Sequence, residues 1–169
     1  MENLSLVAAI GKYNELGLDN KLIWKIKEDL DFYRKLTLHQ NIIMGRKTFE
    51  SMPAGALQKR NIFVLSSLKL DEHYDVNCFN DVDSLLKYIE ISNREFIVVG
   101  GATIYEKMLP YVDTMYLTEI DDYANADAYF PYVDVDEWDI ETIYSHEGNY
   151  KTDNDINYIR NKYVRRRKK

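Results

Sequence analysis

A pair of glycines stands where a buried strand is predicted to meet a helix. The run from Phe96 to Val99 is short, apolar and β-branched, which is typical of a strand buried on both faces of a parallel sheet. Gly100 and Gly101 end this run, and a helical pattern begins at Thr103. Residues without a Cβ let a ligand approach the backbone, and the free N–H groups of a helix start favour an anion. The corner predicts a phosphate or pyrophosphate site; the alternative is a tight turn that serves only the fold.

Two other predicted strand ends carry polar residues of the same kind. Strand 41–44 is followed by Gly-Arg-Lys-Thr at 45–48, and strand 61–65 is followed by two serines and then Lys69. Arginine provides a planar fork that matches a phosphate, and lysine adds a point charge. The alternative for the Arg-Lys pair is a solvated surface turn. Neither glycine corner has the pattern of the standard dinucleotide fingerprint or the P-loop. Three polar strand ends nevertheless predict one extended, multiply charged ligand across the sheet edge.

Asp29 is the candidate residue for proton chemistry. It lies at the margin of the apolar face of a predicted helix, 27–36, three residues after Ile26 and directly before Leu30. A desolvated carboxyl group in the wall of a pocket is suited to handling a proton or to binding a cation. The alternative is that Glu28 and Asp29 are acids of the first helical turn that complement the helix dipole.

Strands and helices alternate along most of the chain, which predicts an α/β fold. The predicted helices are 27–36, 46–52, 83–91 with Asp81 as the cap, and 103–109. The predicted strands are 4–10, 41–44, 61–65, 76–79, 96–99 and 115–118, followed by an antiparallel pair, 138–145 and 157–164. A long polar loop is expected at 11–23 and an irregular acidic stretch at 121–136. We therefore predict one domain over residues 1–164, with a mainly parallel mixed eight-stranded sheet and an antiparallel C-terminal edge, followed by a basic tail, 165–169.

Composition excludes several classes of protein. The chain of 169 residues is 46% hydrophobic and 13% aromatic, which excludes a disordered chain. The net charge is −6, and because residues 165–169 contribute +5 the rest carries −11. An acidic body repels nucleic acid, so a solvated tail is preferred to one that binds nucleic acid or anionic lipid. No apolar run is long enough to be a signal peptide or a membrane span. The single cysteine, Cys78, indicates a reducing, cytoplasmic location; a monomer without a metal is expected.

Eight segments taken together resemble the dihydrofolate reductase family in their order and spacing. The resemblance covers nearly the whole chain, and no single segment decides it. The segments are Leu6–Ile10, Gly17–Trp24, Asp29–Leu30, Ile43–Ser51, Arg60–Ser67, Val99–Tyr105, Tyr116–Thr118 and Phe130–Pro131.

The resemblance implies an NADPH-dependent reduction of 7,8-dihydrofolate to tetrahydrofolate. Asp29 would bind the 2-amino group and N3 of the pterin and promote protonation of N5, while a hydride passes from the nicotinamide to C6. Trp24 and Thr118 would complete the catalytic group by holding Asp29 and an ordered water molecule in place. Arg60 would bind the α-carboxylate of the glutamate tail; without the family, it reads as a surface cation beside Lys59.

The resemblance also implies a cis bond between Gly100 and Gly101, a mobile lid at 11–23, and binding of antifolate inhibitors. The expected substrate-binding residues are Val7, Ala8, Asp29, Leu30, Tyr33, Met52, Arg60, Val99, Tyr105 and Thr118. The expected NADPH-binding residues are Ala9, Leu16, Asn20, Leu22, Gly45, Arg46, Lys47, Thr48, Leu65, Ser66, Ser67, Val99, Gly100, Gly101, Ala102, Thr103, Ile104 and Tyr105.

The chain departs from the family pattern at three places. Ile23 replaces the usual proline before the lid tryptophan, Ala102-Thr103 replaces the usual Gly-Arg pair, and Tyr33 replaces a common phenylalanine. The Tyr33 hydroxyl group needs a partner near the substrate ring. Two other functions compete with the family's own. A pyrimidine reductase of riboflavin synthesis would not require the Trp24–Asp29 pair or Arg60, and a non-catalytic nucleotide- or folate-binding module would not require Asp29.

Overall fold

In the computed structural model, which describes residues 1–70, 74–149 and 155–167, eleven strands form two sheets. Eight of these strands correspond to the eight predicted from the sequence, and their ends agree within two residues. The strands are β1 (Leu4–Ile10), β2 (Glu15–Leu18), β3 (Lys21–Leu22), β4 (Asn41–Gly45), β5 (Asn61–Leu65), β6 (Asn77–Phe79), β7 (Phe96–Gly100), β8 (Thr114–Ile120), β9 (Ala128–Tyr129), β10 (Trp138–His146) and β11 (Tyr158–Arg165).

The larger sheet has eight strands in the order β10-β11-β8-β1-β7-β4-β5-β6. The six strands from β8 to β6 are parallel to one another, whereas β11 is antiparallel to both β8 and β10. The predicted α/β fold, with a mainly parallel sheet and an antiparallel C-terminal edge, is confirmed. Because β7, β4 and β5 are adjacent and parallel, their carboxyl ends meet at one edge of the sheet.

The polar loop predicted at 11–23 instead contains two strands of a second, three-stranded sheet with the order β3-β2-β9. Asp19 and Asn20 connect β2 to β3, and both have positive φ angles, 52° and 61°. Two successive residues with positive φ form the tight turn that matches the twist of a hairpin. The third strand, β9, comes from the stretch predicted to be irregular. The loop prediction was wrong here because the two hairpin strands are very short and β2 has a second partner, β9, that is distant in the sequence.

Five α-helices lie in the described part of the chain: α1 (Lys27–Thr37), α2 (Arg46–Ser51), α3 (Ala54–Leu57), α4 (Val82–Ser92) and α5 (Ala102–Met108). Four of them were predicted, and the single-turn α3 was not. The Asp81 carboxylate caps α4 by accepting a hydrogen bond from the Ser84 N–H at 2.7 Å, as predicted. α5 begins one residue earlier than predicted, and Pro110 lies in the 3-10 turn Leu109–Tyr111 that follows it.

Alternate residues of β1 face opposite sides of the sheet. Leu6 and Ala8 belong to the core cluster beneath α4 and α5, whereas Val7 belongs to the cluster beneath α1 and α2. Leu6 is fully buried, and complete burial of a leucine side chain contributes about 1.5–3 kcal/mol to the free energy of unfolding. The second cluster also includes Phe32 and Tyr33 of α1. That side of the sheet carries Val7, Tyr33, Met52 and Val99, four of the residues expected to bind substrate.

The first residues of the predicted basic tail are part of the fold. Arg165 ends β11; its side chain donates to the backbone carbonyls of Val112 and Leu109, at 2.8 and 2.7 Å, and lies 4.2 Å above the Trp138 ring. Arg166 forms an ion pair with an aspartate at 2.8 Å, and Arg167 forms one with a glutamate. Lys168 and Lys169 lie outside the described residues. Over residues 1–70, 74–149 and 155–167, no helix is long and apolar enough to cross a membrane.

Candidate active site

Asp29 lies in the first turn of α1, and its side chain reaches two strands of the larger sheet. Its Oδ1 atom accepts hydrogen bonds from the Thr118 hydroxyl group on β8 and from Arg160 Nη2 on β11, the second at 2.8 Å. Thr118 and Arg160 are directly paired residues of the β8–β11 ladder, and Arg160 Nε lies 3.4 Å from the Thr118 hydroxyl oxygen. The sheet register therefore brings both donors to the same carboxylate oxygen.

Arg160 is a buried cation that the sequence analysis did not identify. Its side chain is 7% exposed, and that of Asp29 is 17% exposed. The guanidinium carbon lies 3.9 Å from the centre of the Phe32 ring and 5.4 Å from that of Tyr144. Burying an ion is costly unless it is paired and hydrogen-bonded. Here the carboxylate and the faces of two aromatic rings compensate the guanidinium.

The apolar residues near α1 form one wall. Val7, Val99, Tyr33 and Met52 belong to the same cluster, but the Ala8 side chain packs in the cluster on the other side of the sheet. The Tyr33 hydroxyl oxygen is buried and has no hydrogen-bond partner among the described residues. Burial raises the pKa of Tyr33 to about 12, although the positive charge of Arg60 opposes the shift. The hydroxyl group is therefore neutral, and its O–H donor has no acceptor among the described residues of this wall.

Arg60 is held at the end of α1 by three hydrogen bonds. Nε donates to the Thr37 hydroxyl oxygen at 3.2 Å, Nη1 to the Gln58 carbonyl at 2.8 Å and Nη2 to the Arg34 carbonyl at 2.8 Å. The Thr37 hydroxyl group in turn donates to the Tyr33 carbonyl at 2.8 Å. A guanidinium has five N–H donors, so one N–H on each terminal nitrogen has no partner among the described residues. The side chain is fixed and can still bind a carboxylate at two points.

The glycine corners after β4 and β7 touch each other. A Cβ atom on Gly45 would lie 2.9 Å from Cγ1 of Ile104, and one on Gly101 would lie 3.1 Å from the Thr48 hydroxyl oxygen. The Gly100–Gly101 peptide bond is cis, and Gly100 has a φ of 135°, which other residues rarely adopt. The corner is therefore built for glycine, with the starts of α2 and α5 side by side.

The third polar strand end, that of β5, lies beside the end of β4. Leu65, the last residue of β5, pairs with Gly45, and Ser66 follows it. Arg46 already has an acidic partner, because its Nη1 atom lies 3.1 Å from both carboxylate oxygens of Glu50. The three predicted strand ends thus meet at one edge of the sheet. The cation at this edge, Arg46, pairs with an exposed carboxylate, that of Glu50.

Comparison with known proteins agrees with this geometry. The sequence profile of the family described as dihydrofolate reductase matches residues 3–165. The chain belongs to the dihydrofolate reductase family. A dihydrofolate reductase from Buchnera aphidicola subsp. Acyrthosiphon pisum is 40% identical over 131 residues, which are 76% of this chain and 79% of that one. The Bacillus subtilis dihydrofolate reductase is 33% identical over 157 residues, 92% of this chain and 90% of its own.

A solved member of the family has the same fold. The Enterococcus faecalis dihydrofolate reductase, complexed with NADP(H) and RAB-propyl, superposes with a TM-score of 0.83. It is 26% identical to this chain, and the match covers 97% of this chain and 96% of that one. The eight-stranded sheet and the position of its antiparallel edge are therefore those of a dihydrofolate reductase.

The segment expected to be the family's lid is attached to the residues that follow β8. Trp24 Nε1 donates to the Asp122 carboxylate at 3.0 Å, and no hydrogen bond joins Trp24 to Asp29 in the described structure. The Asp19 N–H donates to Asp127 at 3.1 Å. Glu15 is 2% exposed and accepts from the Ala124 N–H at 2.9 Å. Hydrogen bonds therefore join the segment expected to be the lid to residues 122–127, to which the sequence analysis assigned no role.

The remaining predicted residues are distributed as follows. Tyr105 is buried, and its hydroxyl group lies 2.7 Å from the Val7 carbonyl oxygen and 2.9 Å from that of Val99, so it joins β1 to β7 below the glycine corner. Burial raises the pKa of Tyr105, with a smaller contribution from Tyr33, so this phenol stays neutral. Leu22 and Asn20 are exposed at the lid hairpin. No group of His, Cys, Asp and Glu that could hold a metal occurs in the described ranges.

Proposed function

We infer that this protein reduces 7,8-dihydrofolate to 5,6,7,8-tetrahydrofolate, with NADPH as the hydride donor. The observation that carries the inference is the Asp29 carboxylate, held by Thr118 and Arg160 beside an apolar wall. A largely buried carboxylate with a fixed orientation is suited to a ring that presents two adjacent N–H donors. Family membership and the NADP(H) complex of the Enterococcus faecalis protein support the same reaction.

In the proposed mechanism, Asp29 binds the 2-amino group and N3 of the pterin and favours proton delivery to N5. Bound NADPH supplies the hydride that C6 accepts. Thr118 fixes the carboxylate through its hydroxyl group, and Trp24 holds the lid over the reacting ring through its bond to Asp122. Exclusion of bulk water by the lid strengthens the electrostatic interactions inside the site.

The cofactor site is proposed at the shared edge of β7, β4 and β5. The two glycine corners pack so closely that a Cβ at Gly45 or Gly101 would meet a neighbouring side chain within about 3 Å. Backbone without a Cβ can also be approached closely by a pyrophosphate. The helix starts at α2 and α5 would supply N–H groups to the phosphates. Arg46 would exchange Glu50 for a phosphate, as its exposed ion pair contributes little to stability. Lys47, Thr48, Ser66, Ser67 and residues 102–105 complete this proposed site.

The test is oxidation of NADPH, measured by the loss of absorbance at about 340 nm when dihydrofolate is added to the protein. The wild-type protein should turn over, and Asp29→Asn should lower kcat at neutral pH by about 10²–10⁴-fold, with partial recovery in acid. Asp31→Asn is the matched control, because Asp31 lies on the same helix in an exposed ion pair with Arg34. A wild-type protein that binds NADPH without oxidising it would instead be a binding module.

We propose in addition that the protein acts as a cytoplasmic monomer and binds antifolates at the substrate site. The exposed free thiol of Cys78 supports a reducing compartment, and the net charge of −6 argues against nucleic acid as a partner. Light scattering should give a mass near 20.0 kDa. A mass of twice that value would contradict the monomer.

A further inference from the structure

Arg160 brings a permanent positive charge against the carboxylate that faces the proposed pterin site. The guanidinium donates to Asp29 Oδ1 at 2.8 Å. The pair is largely withdrawn from water, with side-chain exposures of 7% and 17%. Screening by solvent and salt is weak for such a pair. The site therefore presents a hydrogen-bonding carboxylate whose negative charge is compensated.

We propose that Arg160 sets the charge selectivity of the substrate site, favouring a neutral ring such as that of dihydrofolate over a protonated 2,4-diaminopyrimidine. This proposal rests on the proposed function, since it deepens the role of the same carboxylate. Both protein donors use Oδ1, and Oδ2 accepts from none of the described residues. A neutral ring can therefore donate its N–H groups to the carboxylate whether or not the guanidinium is present.

A cationic ring would respond differently. It would gain from an uncompensated carboxylate, but beside Arg160 it meets a like charge in a site of low dielectric constant. The guanidinium cannot move away easily, because Phe32 and Tyr144 lie against it at 3.9 and 5.4 Å and Thr118 lies 3.4 Å from Nε. The packing of β11 against α1 thus keeps the guanidinium beside the carboxylate. The resulting repulsion depends on the charge of the ligand rather than on its shape.

The experiment compares a neutral and a cationic ligand in the NADPH complex of the full-length protein. Arg160→Met removes the charge and keeps a long side chain, and Arg160→Lys keeps the charge. Arg166→Met is the matched control, because Arg166 pairs with Asp139 on the surface. The probes are dihydrofolate, by its KM, and trimethoprim, by its Kd at a pH where the free diaminopyrimidine is protonated. Circular dichroism checks folding, and Arg160→Gln serves as the neutral variant if Arg160→Met does not fold.

In the neutral variant, trimethoprim should bind at least about tenfold more tightly, because juxtaposed like charges cost several kcal/mol. The change in the KM for dihydrofolate should be smaller than the change in the trimethoprim Kd, since a neutral ring gains nothing from the lost repulsion. Arg160→Lys and Arg166→Met should both bind trimethoprim as the wild-type protein does. Unchanged or weaker trimethoprim binding in the neutral variant would overturn the proposal, as would a parallel change for both ligands. Failure of the wild-type protein to oxidise NADPH would reject the proposed function separately.

Discussion

Replacing Arg60 by methionine should weaken binding of the substrate tail while leaving the chemical step nearly intact. Three hydrogen bonds fix this guanidinium to the end of α1, so its two remaining N–H groups are oriented before the substrate arrives. A hydrogen bond to a charged group is worth about 1.5–3 kcal/mol. Because Arg60 is half-buried, we take the lower part of that range and expect a total loss of about 2–3 kcal/mol. The KM for dihydrofolate should then rise about 30–150-fold.

The assay uses two substrates that differ in the tail. With dihydrofolate, Arg60→Met should raise KM and leave kcat within about threefold of the wild-type value. This is expected because the lost contact binds the ground state and the transition state equally well. With dihydropteroate, which lacks the glutamate, wild type and variant should have the same KM. Arg34→Met is the control, since it removes an exposed guanidinium but leaves the Arg34 carbonyl that accepts from Arg60. An equal rise in KM for both substrates would refute the reasoning.

Three other predictions follow from single contacts. Tyr33→Phe should raise the free energy of unfolding by about 1–2 kcal/mol, as it removes a buried unpaired hydroxyl group; a lower melting temperature would show that this group has a partner. Glu28 accepts hydrogen bonds from the Tyr144 and Tyr158 hydroxyl groups. These bonds, that of Tyr144 most of all, lower the pKa of Glu28 below its ordinary value of 4.5. A lowered pKa stabilises the fold above that value, so the stability difference between wild type and Glu28→Gln in denaturant titrations should shrink as pH falls below about 4.5. We propose that Arg46 binds the 2′-phosphate of NADPH, which NADH lacks, so Arg46→Gln should raise the KM for NADPH about tenfold and that for NADH much less.

The parallel core of the fold could be predicted from sequence because each of its strands has a recognisable local pattern of residues. The runs at Asn41–Gly45, Asn61–Leu65 and Phe96–Gly100 are apolar and end at Gly or Ser, and burial on both faces requires such a pattern. The meeting of their ends follows from parallel pairing alone. The helical spacing made Asp29 a candidate but left the alternative open, since nothing local tells an acid in a pocket wall from an acid that complements a helix dipole. The family pattern decided for Asp29, and it alone indicated Thr118.

Arg160 could not be found in the same way. The strand Tyr158–Arg165 mixes aromatic, charged and apolar residues on both of its faces, so alternation does not say which face is buried. The deciding contact is with Asp29, 131 residues away, and it depends on the pairing of Arg160 with Thr118. A cation in the middle of a predicted strand was the available signal, but the same pattern is also typical of a solvated residue. The small sheet at the lid was missed for the same reason, because β9 pairs with β2 across more than a hundred residues.

The two halves of the site share their supports, which limits how they can vary. The Tyr105 hydroxyl group lies within hydrogen-bond distance of carbonyl oxygens of β1 and β7, the strands that carry Val7 of the substrate wall and the glycine corner of the cofactor edge. A shift of either strand would therefore disturb both proposed sites, since both lie on this pair of packed strands. Arg160 lies outside this pair of strands, on β11 at the antiparallel edge, where its guanidinium contacts Phe32 of α1. The charge of the substrate site can therefore be altered on β11 without moving the strands on which hydride transfer depends.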